Sequence, residues 1–409
     1  MQKSCECLPA PAVNAMPCSN PETSQGLDKG VASMTGHNGR VNVLHITLSA
    51  RQGGGPEHLY QLVQGLPAHV HSFIASPDEP PYIERYQRVV GIDHIVHVPH
   101  RKVSFGALRA VISFIRDNRI HIVHSHGKGA GLYGRIAALL TGCKSVHTFH
   151  GIHIQYGFAA SACYRLLETI LRRATDAFIC VSAGEAEVAL AKGFASRQRC
   201  HIVPNGVAIP EQPAGIDEAG LFSIIHMSRF DYAKNSEMLI PVALALREHS
   251  CSDRCRFVIL GTGGNEAEVR NAAVAAGVGH MFHFAGNTPA PRAFLRGELA
   301  GHGGRAGCYL STSRWEGLPL AVLEAMSEGV PVVATNVVGN ADAVRHEETG
   351  FLYDLQQPAE AAEFIARLAG SSGLRNAMGY KAFIRAKDAF SRDAMVSGTA
   401  AVYASVLQG

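Results

Sequence analysis

The sequence predicts an α/β protein of two doubly wound domains that face each other across a cleft. Short apolar stretches typical of buried strands alternate with helical stretches of ten or more residues from Val41 to Val203. Parallel strands need long crossovers, so this alternation predicts parallel sheets with helices on both faces. The pattern restarts at Leu221, and 409 residues are too many for one compact core.

The predicted boundaries follow changes in composition. Residues 1–39 are rich in Pro, Gly, Ser and Asn and are expected to form a disordered extension without the apolar core of a secretory signal. Residues 40–208 form the first domain, and 209–220, with two prolines, form the linker. Residues 221–390 form the second domain, and 391–409 form a last helix expected to cross back to the first.

The first domain is predicted to contain seven strands and five helices. Predicted strands lie at 41–47, 70–75, 94–98, 120–124, 144–149, 176–181 and 201–203, and predicted helices at 57–65, 105–118, 130–140, 161–174 and 184–192. The first strand leads into a glycine turn, Arg51–Pro56, before its helix. Gly54 and Gly55 in this turn would let the backbone approach an anion or a sugar closely.

The second domain repeats this order. Predicted strands lie at 221–227, 256–260, 281–284, 307–310 and 330–335, with helices at 234–249, 266–276, from 291, and from Pro319 to Gly329. In such sheets ligands bind beyond the carboxyl ends of the strands, and a cleft between domains is the default site.

The helix after Pro319 carries one polar residue, Glu324, between Pro319 and Met326. Free N–H groups at its start suit a phosphate, and Glu324, one and a half turns later, suits the hydroxyls of the attached sugar. The alternative is that Glu324 only reaches solvent at the helix edge.

Two further anion-friendly features follow neighbouring strands. Arg229 and Lys234 bracket a loop that opens a helix and would hold a diphosphate, although a solvated surface pair is the alternative. Gly261 and Gly263 form a glycine turn after the next strand. Together with the helix start at Pro319, these features predict one anion site.

A histidine follows a strand of the first domain. His150 is expected at the facing edge of the cleft, where its ring would bond a sugar or the acceptor. His124 and His126, on the neighbouring strand end, are weaker candidates of the same kind. With 21 histidines in the chain, a structural role is the alternative for each.

Composition excludes several classes of function. A net charge of +3 with scattered Lys and Arg does not predict nucleic-acid binding, and the longest apolar run, Met238–Leu246, is too short to span a membrane.

Ten cysteines without a C-x-x-C pair indicate reduced thiols in a cytoplasmic protein. A zinc site at His249, Cys251 and Cys255 is disfavoured because it lacks a second ligand pair. No Asp-x-Asp occurs, which counts against a transferase that binds its nucleotide through a divalent cation. No metal site and no cofactor are expected.

These motifs resemble those of the retaining family 4 glycosyltransferases with the GT-B fold. Glu316 and Glu324, eight positions apart, match the E-x7-E signature of that family. The resemblance also covers Gly53–Pro56, Phe149–Gly151, Val203–Val207, Arg229 with Lys234, and Leu260–Gly263, and it spans roughly residues 41–390. The family usually has Gly before the Arg of the phosphate loop, where this chain has Ser228.

The resemblance implies roles for individual residues. Arg229 and Lys234 would hold the diphosphate of a nucleotide-sugar, Glu324 the ribose, and Glu316 the donor sugar or its surroundings, close to Gly317 and Leu318. His150 would touch the donor sugar. The expected reaction is transfer of a hexose-type sugar, with retention and without a metal, to a glycan or lipid-linked acceptor.

The resemblance favours enzymes of bacterial surface-polysaccharide or lipopolysaccharide assembly, which are cytoplasmic or peripheral at the inner membrane. Two other classes of enzyme share the architecture. A nucleotide-sugar epimerase would convert the donor without an acceptor, and a phosphorylase would need a pyridoxal cofactor bound to a lysine. A non-catalytic sugar-binding protein would bind the donor without turnover.

Overall fold

The computed structural model describes residues 39–153, 157–215, 220–298 and 304–409. Within them lie two parallel sheets covered by helices, which confirms the predicted two-domain α/β class. Nearly all of the predicted extension, residues 1–38, and positions 216–219 of the predicted linker lie outside the described residues.

The first sheet has seven strands, all parallel, in the order β3-β2-β1-β4-β5-β6-β7. They are β1 (Val41–Ile46), β2 (Val70–Ser76), β3 (Ile95–His97), β4 (Ile122–His126), β5 (Lys144–Thr148), β6 (Ala177–Cys180) and β7 (Cys200–Ile202). The crossover helices are α1 (Gly54–Gly65), α2 (Tyr82–Val90), α3 (Phe105–Asp117), α4 (Lys128–Thr141), α5 (Phe158–Leu171) and α6 (Ala183–Ala191).

The second sheet has six parallel strands in the order β10-β9-β8-β11-β12-β13. They are β8 (Phe222–Met227), β9 (Cys255–Leu260), β10 (Phe282–Gly286), β11 (Ala306–Ser311), β12 (Val332–Thr335) and β13 (Gly350–Tyr353). Its helices are α7 (Leu239–Arg247), α8 (Glu266–Ala275), α9 (Pro291–Arg296), α10 (Leu320–Ser327), α11 (Val338–Ala343), α12 (Pro358–Gly370) and α13 (Ser372–Ala389), followed by α14 (Arg392–Gln408).

The last helix, α14, packs against the first sheet and α1 rather than against the second domain. The hydroxyl of Tyr403 on α14 shares a 2.6 Å hydrogen bond with Nδ1 of His124 at the end of β4. Both side chains are buried, so this bond ties the end of the chain to the first domain.

Two helix starts differ from the sequence prediction. Helix α1 begins at Gly54 rather than Glu57, because the carbonyl of Gly53 already accepts from the Glu57 N–H at 3.1 Å and Pro56 is tolerated in a first turn. Pro319 is the N-cap of α10, with extended backbone, and its carbonyl accepts from Val322 and Leu323.

The last strand of the predicted set, β12, begins at Val332 rather than at position 330. Pro331 has no N–H to donate to a parallel ladder, so pairing begins after it. Elements between residues 336 and 390, and helix α2, were not predicted, because their short or mixed apolar patterns do not mark strands and helices clearly.

No helix among the described residues is both long enough and apolar enough to cross a membrane.

A buried ion pair joins two crossover helices of the first domain. Arg135 on α4 forms a two-pronged bond with Glu168 on α5, at 2.8 and 3.0 Å, and its Nε donates to the carbonyl of Gly131. The side chains are 0% and 2% exposed. Removing one partner of such a pair leaves the other charge buried without compensation.

We predict that Glu168→Gln destabilises the protein by about 3–5 kcal/mol, because it leaves the Arg135 charge buried. Thermal and urea unfolding followed by circular dichroism measure this loss. The matched control is Glu84→Gln, which removes an exposed pair with Arg88 and should change stability little. Equal effects of the two substitutions would contradict the prediction.

Candidate functional site

The carboxyl ends of the two sheets meet at loops that contact one another directly. A Cβ added at Gly317 would lie 2.8 Å from the backbone nitrogen of Gly151, so only glycine allows this approach. The amide of Asn205 donates to the carbonyl of Leu318 at 2.6 Å. The start of α10 therefore lies against the loop that follows β5.

The loop after β8 carries Arg229 and rests on the predicted glycine turn. A Cβ at Gly261 would lie 2.0 Å from the carbonyl oxygen of Ser228, and one at Gly263 would lie 2.5 Å from that of Phe230. Gly261 and Gly263 thus provide space for this loop, which is a packing role. Their contact with a ligand stays a prediction.

Lys234 lies at the other end of that loop and forms an ion pair with Glu316. Its Nζ is 2.5 Å from Oε1 of Glu316, and the hydroxyl of Ser313 donates to the same oxygen at 2.6 Å. The side chains of Lys234 and Glu316 are 23% and 11% exposed. Arg229 is paired with Asp231 at 2.8 Å and is more exposed, at 48%.

The glycine turn of the first domain faces this loop across the cleft. A Cβ at Gly53 would lie 3.2 Å from Nη1 of Arg229, and one at Gly54 would lie 3.9 Å from Cδ1 of Leu320. A Cβ at Gly55 would have no atom within 4 Å. Gly53 and Gly54 therefore lie against the second domain, whereas the side of Gly55 on which a Cβ would lie is open. The approach of Gly54 and Gly55 to a ligand stays a prediction.

Glu324 on α10 lies one and a half turns from the helix start. Its carboxylate is half-buried, and no hydrogen bond or ion pair reaches it among the described residues. The neighbouring Glu328, in contrast, is 1% exposed and accepts from both Arg292 and Arg296. One of the two carboxylates is thus paired, and the other is not.

The surroundings of Glu324 raise its pKa to about 7, first through burial and then through the negative charge of Glu57 on α1. Burial, and then the charges of Glu316 and Glu324, also raise the pKa of Tyr309. The charges of both carboxylates of the E-x7-E pair therefore act on one buried tyrosine.

His150 has a strained backbone, with φ of 58°, and is followed by Gly151 with φ of 103°. Left-handed conformations in residues other than glycine are uncommon and often occur at functional sites. Nε2 of His150 lies 3.3 Å from Nδ1 of His126. Burial, and then the charge of His58, hold the pKa of His150 well below its usual value, so its ring is neutral at pH 7.

Four more imidazoles lie behind His150, and the sequence analysis singled out only two of them. His45 and His58 were not predicted, whereas His124 and His126 were weaker candidates. His45 Nδ1 lies 3.4 Å from Nε2 of His126, and the rings of His58 and His150 are 4.5 Å apart. His45 lies within β1 and His58 within α1, and neither belongs to a recognisable sequence motif. The residues next to them along the chain therefore do not indicate a functional role.

Glu185, which the sequence analysis did not single out, holds the loop after β5. Its carboxylate accepts from the backbone N–H groups of Gly151 and Val181, while Ser182 caps its helix. Burial raises its pKa to about 7, although both backbone bonds lower it. It also borders a cavity of about 320 Å³ between the domains, which is lined by Ile152, Glu185, Val188, Arg314, Trp315, Glu316, Asn336, Val337 and Val338.

Comparisons with known protein families cover both domains. Residues 52–209 match the family model described as Glycosyltransferase Family 4, and residues 213–385 match the one described as Glycosyl transferases group 1. Together these matches span most of the described chain and contain all eleven predicted site residues.

Two similar proteins illustrate the sequence relationship. A UDP-Gal:alpha-D-GlcNAc-diphosphoundecaprenol alpha-1,3-galactosyltransferase of Escherichia coli is 26% identical over 61% of this chain and 66% of its own length. A D-inositol 3-phosphate glycosyltransferase of Catenulispora acidiphila is 27% identical over 84% of this chain and 88% of its own.

Solved structures share the fold at low identity. The Anabaena protein HepE, crystallised with UDP-glucose, superimposes with a TM-score of 0.75 at 18% identity, covering 90% of this chain and 100% of that one. Sucrose-phosphate synthase of Thermosynechococcus elongatus gives 0.72 at 18% identity with the same coverage. Both support the arrangement of two Rossmann-like domains.

We predict that Glu324 makes stability depend on pH. Its folded pKa of about 7 exceeds the ordinary value of 4.5, so the unfolded chain loses the proton first and stability falls as pH rises from about 4.5 to 7. Glu324→Gln removes this loss and should stabilise the protein at pH 8, by up to about 3 kcal/mol, but not at pH 4.

Urea unfolding at pH 4, 6 and 8 measures the difference between this variant and the wild type. Glu248→Gln, at a side chain 76% exposed, is the matched control and should follow the wild type. A Glu324→Gln variant that is no more stable at pH 8 than the wild type would show that Glu324 is not held in an unfavourable environment.

Proposed function

Because this chain belongs to the family 4 glycosyltransferases of the GT-B fold, an enzyme family, we propose that it transfers a hexose-type sugar from a nucleotide-sugar to a lipid-linked glycan. The observation that carries the proposal is the half-buried carboxylate of Glu324, which has no hydrogen-bond or ion-pair partner among the described residues and lies on the helix whose start faces the Arg229 loop. That arrangement suits a ribose and a diphosphate joined in one donor.

We assign the diphosphate to Arg229, Lys234 and the free N–H groups at the start of α10. Two cations and a helix N-terminus stabilise the charge that develops on a leaving diphosphate. The close approach of Gly53 to Arg229 supports this assignment, because the first domain would cover the bound phosphates there. Uridine is the proposed base, since the E. coli relative is named for UDP-Gal and HepE was crystallised with UDP-glucose.

The proposed step retains the anomeric configuration. The acceptor oxygen forms a bond to the anomeric carbon on the face from which the diphosphate departs, and the bond from that carbon to the phosphate oxygen breaks. The acceptor proton passes to the departing phosphate oxygen. Glu316, held by Lys234 and Ser313, and His150 would orient the donor sugar, and no bound metal takes part in this step.

The cavity beside Glu316 is the proposed acceptor site. It opens between the domains, next to the ion pair of Lys234 and Glu316, and includes the indole of Trp315, a surface on which sugar rings commonly stack. Its position would bring an acceptor hydroxyl to the donor sugar from the side of the first domain.

We also propose peripheral contact with an anionic membrane surface at the cytoplasmic face. The loop before α3 exposes Arg101 and Lys102 beside Val103 and Phe105, which are 56% and 75% exposed. Basic and apolar side chains together are typical of interfacial membrane binding. Such contact would bring the cleft close to a lipid-linked acceptor.

We predict that Lys234→Ala lowers kcat/KM for sugar transfer by about 10²–10³-fold, because it removes a cation from the leaving diphosphate. A coupled assay with UDP-galactose and a polyprenyl diphosphate-linked GlcNAc, read by mass spectrometry, measures it. Lys381→Ala, at an exposed lysine of α13, is the matched control and should keep full activity. Full activity of Lys234→Ala would defeat the donor assignment.

Further measurements test the remaining parts of the proposal. Thermal-shift screening of UDP-, GDP- and ADP-sugars identifies the donor, since a ligand at 100 times its dissociation constant adds about 2.7 kcal/mol. Activity should persist in EDTA. Conversion of the donor sugar without an acceptor would favour an epimerase, and donor binding without turnover over many acceptors would favour a sugar-binding protein.

We predict that Phe105→Asp weakens co-sedimentation with vesicles containing anionic lipid, because it places a negative charge in the exposed apolar loop. Val274→Asp, at a valine of α8 that is 68% exposed, is the matched control in the second domain. Equal binding of both variants and the wild type would contradict membrane contact through this loop.

A further inference from the structure

The first domain contains a group of three histidines whose ring nitrogens converge. His58 on α1, His126 at the end of β4 and His150 after β5 each offer a ligand atom, and these atoms lie within 4.8 Å of one another. The side chains of His58 and His126 are 3% and 7% exposed. We propose that this three-histidine cluster binds a divalent transition-metal ion of the zinc type.

One distance in the cluster already matches metal coordination. Nδ1 of His126 and Nε2 of His150 are 3.3 Å apart. Two nitrogens bound to tetrahedral Zn²⁺ at about 2.0–2.1 Å are separated by about 3.3 Å. Since all three nitrogens lie within 4.8 Å of one another, bringing the His58 nitrogen to the same spacing requires a movement of at most about 1.5 Å.

His58 supplies the second, independent observation. Its Nδ1 and the Oδ1 of Asn205 are both buried, and neither has another partner among the described residues. A hydrogen bond with Asn205 raises the pKa of His58 against the larger lowering by burial, so Nδ1 faces the Asn205 amide. An Nδ1–H that donates to Asn205 leaves the Nε2 lone pair for an ion, as in metal-binding histidines whose second nitrogen bonds another group.

The second ring nitrogen of His126, Nε2, contacts His45. Nε2 of His126 lies 3.4 Å from Nδ1 of His45, so a hydrogen bond to His45 fixes the ring with Nδ1 toward His150. Metal-binding histidines commonly bond another group through their second nitrogen in this way. Imidazole nitrogens suit zinc, copper and nickel rather than magnesium or calcium.

A second group, His45, His124 and His126, is less suited to a metal. Both ring nitrogens of His124 are already engaged, Nδ1 with the Tyr403 hydroxyl at 2.6 Å and Nε2 with the Thr148 hydroxyl at 2.7 Å. A metal there would break these buried bonds. An ion at His58, His126 and His150 would replace only the bond between Nδ1 of His126 and Nε2 of His150, and both nitrogens would then bind the ion.

Metal binding would also affect sugar transfer. If His150 contacts the donor sugar, an ion bound at its Nε2 occupies the nitrogen that would bond the sugar. Zinc should therefore inhibit sugar transfer. This consequence rests on the proposed function, whereas metal binding itself does not.

The test is titration of the full-length protein with Zn²⁺ by calorimetry and with Co²⁺ by visible absorption. We expect one ion per chain, bound by nitrogen ligands, and at least a tenfold loss of affinity in His58→Gln. The matched control His97→Gln, at an exposed histidine ending β3, should bind as the wild type does. Circular dichroism and thermal unfolding establish that each variant is folded.

Two outcomes would overturn the site. One is equal Zn²⁺ affinity in folded His58→Gln and the wild type. The other is a sulfur-to-cobalt charge-transfer band, which would assign the ion to cysteine thiolates. Inhibition is tested separately: transfer that Zn²⁺ leaves unaffected, in protein shown to bind it, would argue against a donor contact by His150 and not against the metal site.

Discussion

The architecture of the cleft depends on the close approach of two glycines from different domains. Gly317 lies so near the backbone nitrogen of Gly151 that a single added carbon would sit 2.8 Å away. This contact brings the loop carrying His150 against the start of α10. It is supported from one side by the carboxylate of Glu185, which accepts from Gly151, and from the other by Asn205, which donates to Leu318.

Close backbone approach at glycine also positions the loop that carries Arg229 and Lys234. Gly261 and Gly263 leave space for the backbone at Ser228 and Phe230, so that Arg229 reaches the glycine turn of the first domain. Backbone-to-backbone packing is more rigid than contact between long side chains, because few rotatable bonds intervene. The cations are thereby positioned by the fold rather than by a flexible surface loop.

Charge is distributed unevenly along α10 and around it. Glu328 is neutralised by two arginines and Glu316 by Lys234, whereas Glu324 has no such partner among the described residues. The energetic cost of its burial appears as the raised pKa. Behind the facing loop of the first domain, neutral histidines take the place of charged groups, and they offer nitrogen ligands next to the same cleft.

The sequence by itself determined the parallel α/β class and the E-x7-E pair, whose second carboxylate lies on a helix, and it identified Arg229 and Lys234 as basic residues of one loop. Those features are local, because strand periodicity, helix starts and motif spacing depend on neighbours along the chain. Only the tertiary structure decided that Gly53 rather than Gly55 faces Arg229, and that Gly261 and Gly263 serve packing. It alone brought His45 and His58 beside His126 and His150, since these residues come from three strand ends and a helix whose distances are set by long-range packing.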